Sequence, residues 1–515
     1  MEITNYPDNT FMLQTRLYRS LNTTIALRYF IVALLLSFCH TALSHPRLTI
    51  VVVVDGLHQE NLKELRDYWQ EGGLRTLSEE AFQTNLSFPH IVYGGAESTA
   101  TLMTGTTPNV HGISMDYYFN RSNRRIHPIL VDNRENGIGT PDKLSARSLL
   151  APTLSDKMRM QYGKQSKIYA IGIHASNTII MGGHAANACC WIGNPTPYDS
   201  LRWVSTSYYS EGLPSAADDM NISGRFNQLA SRIWTPRMDI SMYNHATERE
   251  KKKSFSYPLQ DYLRQTPTAN TLVIELALAM QEKEQLGKDL TPDLLLLELT
   301  TISPKAQSDY ITTAEQEDMY LWLNQDIGFL MEQLNKRIGR ENYRLVVVGK
   351  PTLGIGKDRL QLANIPCQNF NVEHAAALTS TYLMALYGHE RWIDGGYGQS
   401  IYLNRTLIEQ KRLSISTMQQ QVANFLLEFA GVQAAFPAYD VYHSQLLAST
   451  INKHSAGDVV FVLEPGWQLT HDDDQVIDHV IEQNVQVPLL LWSGTAFAHP
   501  NYPMDATQLV PLLMQ

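Results

Sequence analysis

Cysteine is scarce, four residues in 515, and no CxxC pair or Cys/His spacing is present, so nothing points to a thiolate metal centre. Basic charge is in deficit. Lys and Arg total 41 against 51 acidic residues, a formal net charge of −10, which argues against nucleic acid or an anionic membrane surface as the main partner. No internal repeat or low-complexity tract occurs. Long apolar runs are missing as well: the segment Tyr29-FIVALLLSF-Cys39 is short for a bilayer crossing. What remains is a chain with 44% hydrophobic content, long enough for one large domain or two ordinary ones.

The N-terminus reads as a secretory signal over 1–44. Arg16, Arg19 and Arg28 precede the apolar segment, and Ala42-Leu43-Ser44 is a small-x-small cleavage pattern ahead of His45. An uncleaved anchor is the alternative, and a start at Met12 would account for the polar lead. Residues 45–515 would form the mature chain, placed in the periplasm or cell envelope, with no stable membrane span after cleavage. Cys39 would leave with the signal. Cys189, Cys190 and Cys367 remain, an odd set that permits one disulfide, and the vicinal pair reads as buried small hydrophobes.

The chain is organised around Leu48–Ile113. LTIVVVVDG is a continuous β-branched run, the mark of a strand buried on both faces, and it carries Asp55 to a strand C-terminus, where α/β proteins place ligands. Ala96 to Met103 reads as a helix stopped at Thr104-Gly105, and Pro108 to Gly112 as a turn. Downstream, Ser166–Ile173, Pro292–Leu299 and Arg344–Gly349 read as strands. They alternate with helices over Asn177–Gly183, Thr268–Glu284 and Glu315–Arg337. This alternation predicts an α/β fold with a mostly parallel sheet covered on both faces. Polar, aromatic Trp191–Ser256 fits an insertion, with a cap expected over about 170–265.

A strand ending in Asp followed by TGxxPxxHGI, here Thr104 to Ile113, resembles the alkaline phosphatase superfamily, in its type I phosphodiesterase/nucleotide pyrophosphatase-like and bacterial alkaline phosphatase branch. The likeness runs over nearly all of 45–515, including LLLLELTT, RLVVVG, GDVVFVLEPGW and VPLLLWSG. It implies two zinc ions, because phosphoryl transfer needs charge stabilised at both the attacking and the leaving oxygen.

Carried over by position, the implied site is largely vacated. The nucleophile position falls on Gly95, which has no side chain to attack phosphorus. Of the implied zinc ligands Asp55 is retained, while the others fall on Ser303, Gln307, Lys350, Pro351 and Ile477. An ammonium at position 350 repels a metal ion and donates nothing to it. The phosphate-holding positions fall on Asp116, His174 and Ser176, and a carboxylate there opposes phosphate. The resemblance also implies that Asp55 and Lys350 are neighbours, so an ion pair between them is expected where the metal would lie.

Other residues carry two readings each. Ser98 in Glu97-Ser98-Thr99 is either a displaced nucleophile or helix-start polarity. His111 and His184 are either ligands or hydrogen-bonded structural histidines. His471 to Asp474 is either a chelating loop or a solvated charge run, and Gly354-x-Gly356 is too short for a dinucleotide fingerprint. The function expected is that of an exported, catalytically silent pseudophosphatase that binds an envelope protein or ligand, with no cofactor. The alternative is an active phosphomonoesterase or phosphodiesterase/nucleotide pyrophosphatase holding zinc through displaced ligands such as His58, His479 and Asp473.

Overall fold

The computed structural model describes residues 46–193, 201–354, 356–452, 455–470, 476–478, 485–495, 497 and 499–515. The account below concerns the unit made of Pro46–Gly494 and His499–Gln515. Its centre is the Leu48–Asp55 strand, every residue of which is buried. Parallel partners flank it on both sides, Tyr343–Lys350 and Asp293–Thr300, and the sheet continues in parallel through Ile168–Gly172 to Ala188–Gly193. Continuous Val, Ile and Leu runs are what such doubly covered strands require.

Antiparallel pairs lie toward both edges, and on one side the short Met504–Asp505 strand then pairs in parallel with Phe82–Ser87. Gln486–Ser493 runs against Tyr343–Lys350 and against Phe82–Ser87, and Arg202–Thr206 runs against Ala188–Gly193. Among the described residues the sheet has ten strands and is mostly parallel at its centre, as the alternating pattern predicts. Helices Pro267–Lys283 and Ala314–Arg337 cover one face. In the latter, the Thr313 side chain accepts from the Gln316 N–H, acidic residues fill the first turn, and Lys336 and Arg337 close the last, each matching the helix dipole. The Gly73–Glu80 helix packs so tightly on it that a Cβ at Gly73 would lie 1.8 Å from the Asn324 carbonyl oxygen.

The span expected as an inserted cap, about 170–265, begins inside the sheet. Ile168–Gly172, Ala188–Gly193 and Arg202–Thr206 are sheet strands, because ACCWIG is as continuously buried as the central runs. Beyond Thr206 the short helices bring Phe226, Trp234, Phe255 and Tyr257 into the main core, so aromatic content here signals attachment to that core. A second core lies under the separate four-stranded sheet built from Ile393–Tyr397, Ser400–Leu403, Val459–Leu463 and Val432–Pro437. Among the described residues no helix is long and apolar enough to cross a membrane. The expected signal segment, with Cys39, lies outside the described residues.

Candidate functional site

Parallel pairing in register sets the geometry of the site. Asp55 lies opposite Lys350 on one side and Thr300 on the other, so three strand ends converge. The Lys350 Nζ stands 3.3 Å from Asp55 Oδ1, with both side chains almost wholly buried. The contact is electrostatic and not a well-aligned hydrogen bond, since Asp55 Oδ1 has no hydrogen-bond partner. Burial alone pulls the lysine down, and the carboxylates of Asp55, Glu298, Asp116 and Glu97 outweigh it, leaving its pKa above the ordinary value.

Glu298 completes the floor. It is fully buried, and its Oε2 accepts from the backbone N–H groups of Ile173 and His174, both at 2.8 Å. Its Oε1 meets His174 Nδ1 at 2.9 Å and accepts from Asn177 Nδ2 at 2.7 Å. Burial opposes the charge on Glu298, and His174 beside it prevails, holding its pKa below the usual carboxylate value. For His174 burial works against the imidazolium and Glu298 outweighs it, so its pKa is raised. Neither Glu298 nor Asn177 stood out in the sequence. The available signal was a single charge inside the apolar run LLLLEL.

Gly95 precedes the Ala96–Thr104 helix, and carboxylates crowd the space beside its Cα. A Cβ there would lie 3.0 Å from both Asp116 Oδ1 and Glu97 Oε2. Asp116 Oδ1 accepts from the Ala96 N–H at 2.8 Å. Glu97 Oε1 accepts from Tyr93 N–H at 2.9 Å, Gly95 N–H at 3.3 Å and the Ser98 hydroxyl at 3.1 Å. The anion-attracting start of this helix is thus occupied by the chain's own carboxylates. Ser98 is fully buried and donates to Glu97, which fits helix-start polarity and not a nucleophile.

A further internal carboxylate fills the loop after Lys350. Asp309, buried and overlooked in the sequence, accepts from Thr352 N–H at 2.8 Å, Leu353 N–H at 2.9 Å and Gly354 N–H at 3.2 Å. Burial pushes its pKa up to about 6 even though those donors pull the other way. A pocket of about 450 Å³ opens here, lined by His58, Tyr93, Asp309, Tyr310 and Pro351 among others.

The remaining candidates divide clearly. Ser303 is buried with an unpartnered hydroxyl, Gln307 is exposed and Pro351 is buried. Ser176 lies in the first turn of the Ala175–Gly182 helix that His174 precedes. His58 packs against Tyr310 with ring centroids 4.0 Å apart and the rings tilted by 45°, and burial lowers its pKa to about 4. His111 meets Thr101 Oγ1 at 3.1 Å, and His184 meets Asp156 at 2.9 Å, so both are structural. Cys189 and Cys190 are buried free thiols, and Cys367 is half-buried. Ile477 falls on the Val476–Asp478 strand; its side chain, His471 to Asp474 and His479 lie outside the described residues.

The zinc set implied by the resemblance does not fit the described residues. The Lys350 ammonium stands beside Asp55, and Gly95, Ser303 and Pro351 supply no matching donor set. A different group does gather around Asp55. One donor atom each from Asp55, His174 and Glu298 lie within 4.8 Å of one another, while His58 belongs to no such group among the described residues.

A model of the type I phosphodiesterase / nucleotide pyrophosphatase family matches residues 49–486. The chain is similar to alkaline phosphatase PafA of Elizabethkingia meningoseptica, 21% identical over 508 residues and covering 91% of each chain. It is also similar to alkaline phosphatase PhoV of Synechococcus elongatus, 26% identical over 463 residues, covering 83% of this chain and 82% of the relative. A crystal structure of PafA shares the fold with a TM-score of 0.80 at 20% identity, over 91% of this chain and 95% of that one. With a match spanning most of its length, the chain belongs to the type I phosphodiesterase / nucleotide pyrophosphatase family of the alkaline phosphatase superfamily.

Proposed function

We propose that this family member is a pseudophosphatase, in which the chain's own side chains occupy the positions of metal and phosphate, and that it acts by binding an envelope protein or ligand. The observation that carries this reading is the Lys350 ammonium, 3.3 Å from the retained carboxylate of Asp55. Lysine stands where a cation would be needed, and Asp116 and Glu97 stand at the helix start where an anion would be held. Family membership alone does not transfer an activity to a site with different chemistry.

An active phosphomonoesterase or phosphodiesterase is the second reading, and the comparisons favour it: the relatives matched are alkaline phosphatases. Asp55, His174 and Glu298 would be its ligand set, with Lys350 withdrawn and Glu298 released from His174. Zinc would then be its cofactor. One experiment separates the two readings: metal analysis of chelator-free protein together with turnover of an aryl phosphate and an aryl phosphodiester. Pseudoenzyme status requires substoichiometric zinc and background hydrolysis. Stoichiometric zinc with turnover abolished by Asp55→Ala establishes the active enzyme.

Export to the cell envelope forms part of the same proposal. A mature N-terminus at His45, read by N-terminal sequencing of the natively expressed protein, supports it; retention of Arg16 or Arg28 in a membrane fraction contradicts it.

A further inference from the structure

We infer that a second pocket, between the small four-stranded sheet and the Ser114–Tyr118 segment, binds a neutral, hydroxyl-rich ring of the hexose class. The inference stands independently of whether the Asp55 site turns over phosphoesters. The pocket takes in about 560 Å³, part of it open to solvent, and shares only Tyr93, among the described residues, with the pocket beside Pro351.

Its floor contains an unusual side chain. Gly398-Gln399 connects two antiparallel strands, and the turn is packed inward: a Cβ at Gly398 would meet Met115 Sδ at 2.7 Å. Gln399 is consequently 3% exposed, and neither Oε1 nor Nε2 has a hydrogen-bond partner. A buried primary amide with both ends unpaired is costly, and native proteins rarely leave one so. Gln399 lines the pocket, so the missing donor and acceptor can be supplied by an occupant.

The walls define the occupant's chemistry. Tyr93, Tyr118, Tyr397 and Tyr402 contribute aromatic surface, Ser114 adds a hydroxyl, and no described lining residue is charged. Arg121, 4.8 Å from the Tyr402 ring centroid, is already paired with Asp458 at 2.8 Å. A phosphate or carboxylate finds no counter-charge here, and an aliphatic ligand leaves the amide unpaired. Adjacent hydroxyls of a pyranose present a donor and an acceptor side by side, matching Gln399, while the C–H faces of the ring suit tyrosine.

The test uses the full chain with methyl β-D-glucopyranoside and N-acetylglucosamine as probes, read by saturation-transfer NMR and calorimetric titration. Saturation transfer to ring C–H protons is expected, with binding unaffected by inorganic phosphate. Gln399→Leu should weaken binding about tenfold or more, the usual consequence of losing a paired polar contact. Its melting temperature should hold or rise, because the amide has no partner within the protein. Binding of neither probe, undiminished binding by Gln399→Leu, competition by phosphate, or a clear fall in that variant's melting temperature would each overturn the inference.

Discussion

Asp55 and Lys350 end neighbouring parallel strands in register, and their charged groups meet 3.3 Å apart in the interior. Removing one member leaves the other buried without a counter-charge, at a typical cost of about 3–5 kcal/mol. Lys350→Ala should therefore lower unfolding free energy by an amount in that range, measured by equilibrium denaturation. Asp55→Asn combined with Lys350→Met removes both charges and should recover most of the loss. A Lys350→Ala penalty below about 1 kcal/mol, the scale of an exposed pair, would contradict the pairing.

Gly95→Thr tests the crowded helix start. The backbone at Gly95 has φ −106, which any residue adopts, so the obstacle is the space taken by Asp116 and Glu97. Forcing atoms into filled space typically costs about 1–3 kcal/mol. The expected outcome is a lower melting temperature with no gain in aryl phosphate hydrolysis. A stable, active Gly95→Thr protein would show that only the nucleophile was missing.

Asp326 gives a pH signature away from the site. It is almost wholly buried with Thr271 Oγ1 donating at 3.1 Å, and burial raises its pKa to about 8. The folded state retains this proton up to about pH 8, whereas the unfolded chain releases it near the ordinary value of 3.8. Its contribution to stability therefore declines as pH rises through that window. Relative to the parent, Asp326→Asn should gain stability between pH 5 and pH 9 in thermal denaturation. A pH-independent difference would place the charged form in the native state.

His184 shifts stability with pH in the same sense, through a different interaction. The Asp156 hydrogen bond raises its pKa above the ordinary value of 6.5, so its stabilising contribution is full below that value and lost as pH rises through the folded pKa. An NMR titration should give a His184 midpoint above that of an unstructured peptide, and Asp156→Asn should abolish the elevation. An unshifted midpoint in the parent protein would refute the pairing.

The sequence by itself determined the sheet and most of its principal elements. Runs such as LTIVVVVD and DLLLLELT are too uniformly apolar for any place except a doubly covered strand, and the helices over Pro267–Lys283 and Ala314–Arg337 follow their periodicity within a residue or two. It also supplied Asp55 opposite Lys350, through a motif order that implies which strand ends meet. Tertiary structure decided the rest. Glu298 acquires its role from Asn177 and His174, 121 and 124 residues away, and Asp309 from Thr352, 43 residues away. The strands over 188–206 were equally hidden, because whether an aromatic segment covers the core or joins it depends on long-range pairing. Pairing between distant strand ends is a property of the folded sheet, and local patterning specifies only the strands that enter it.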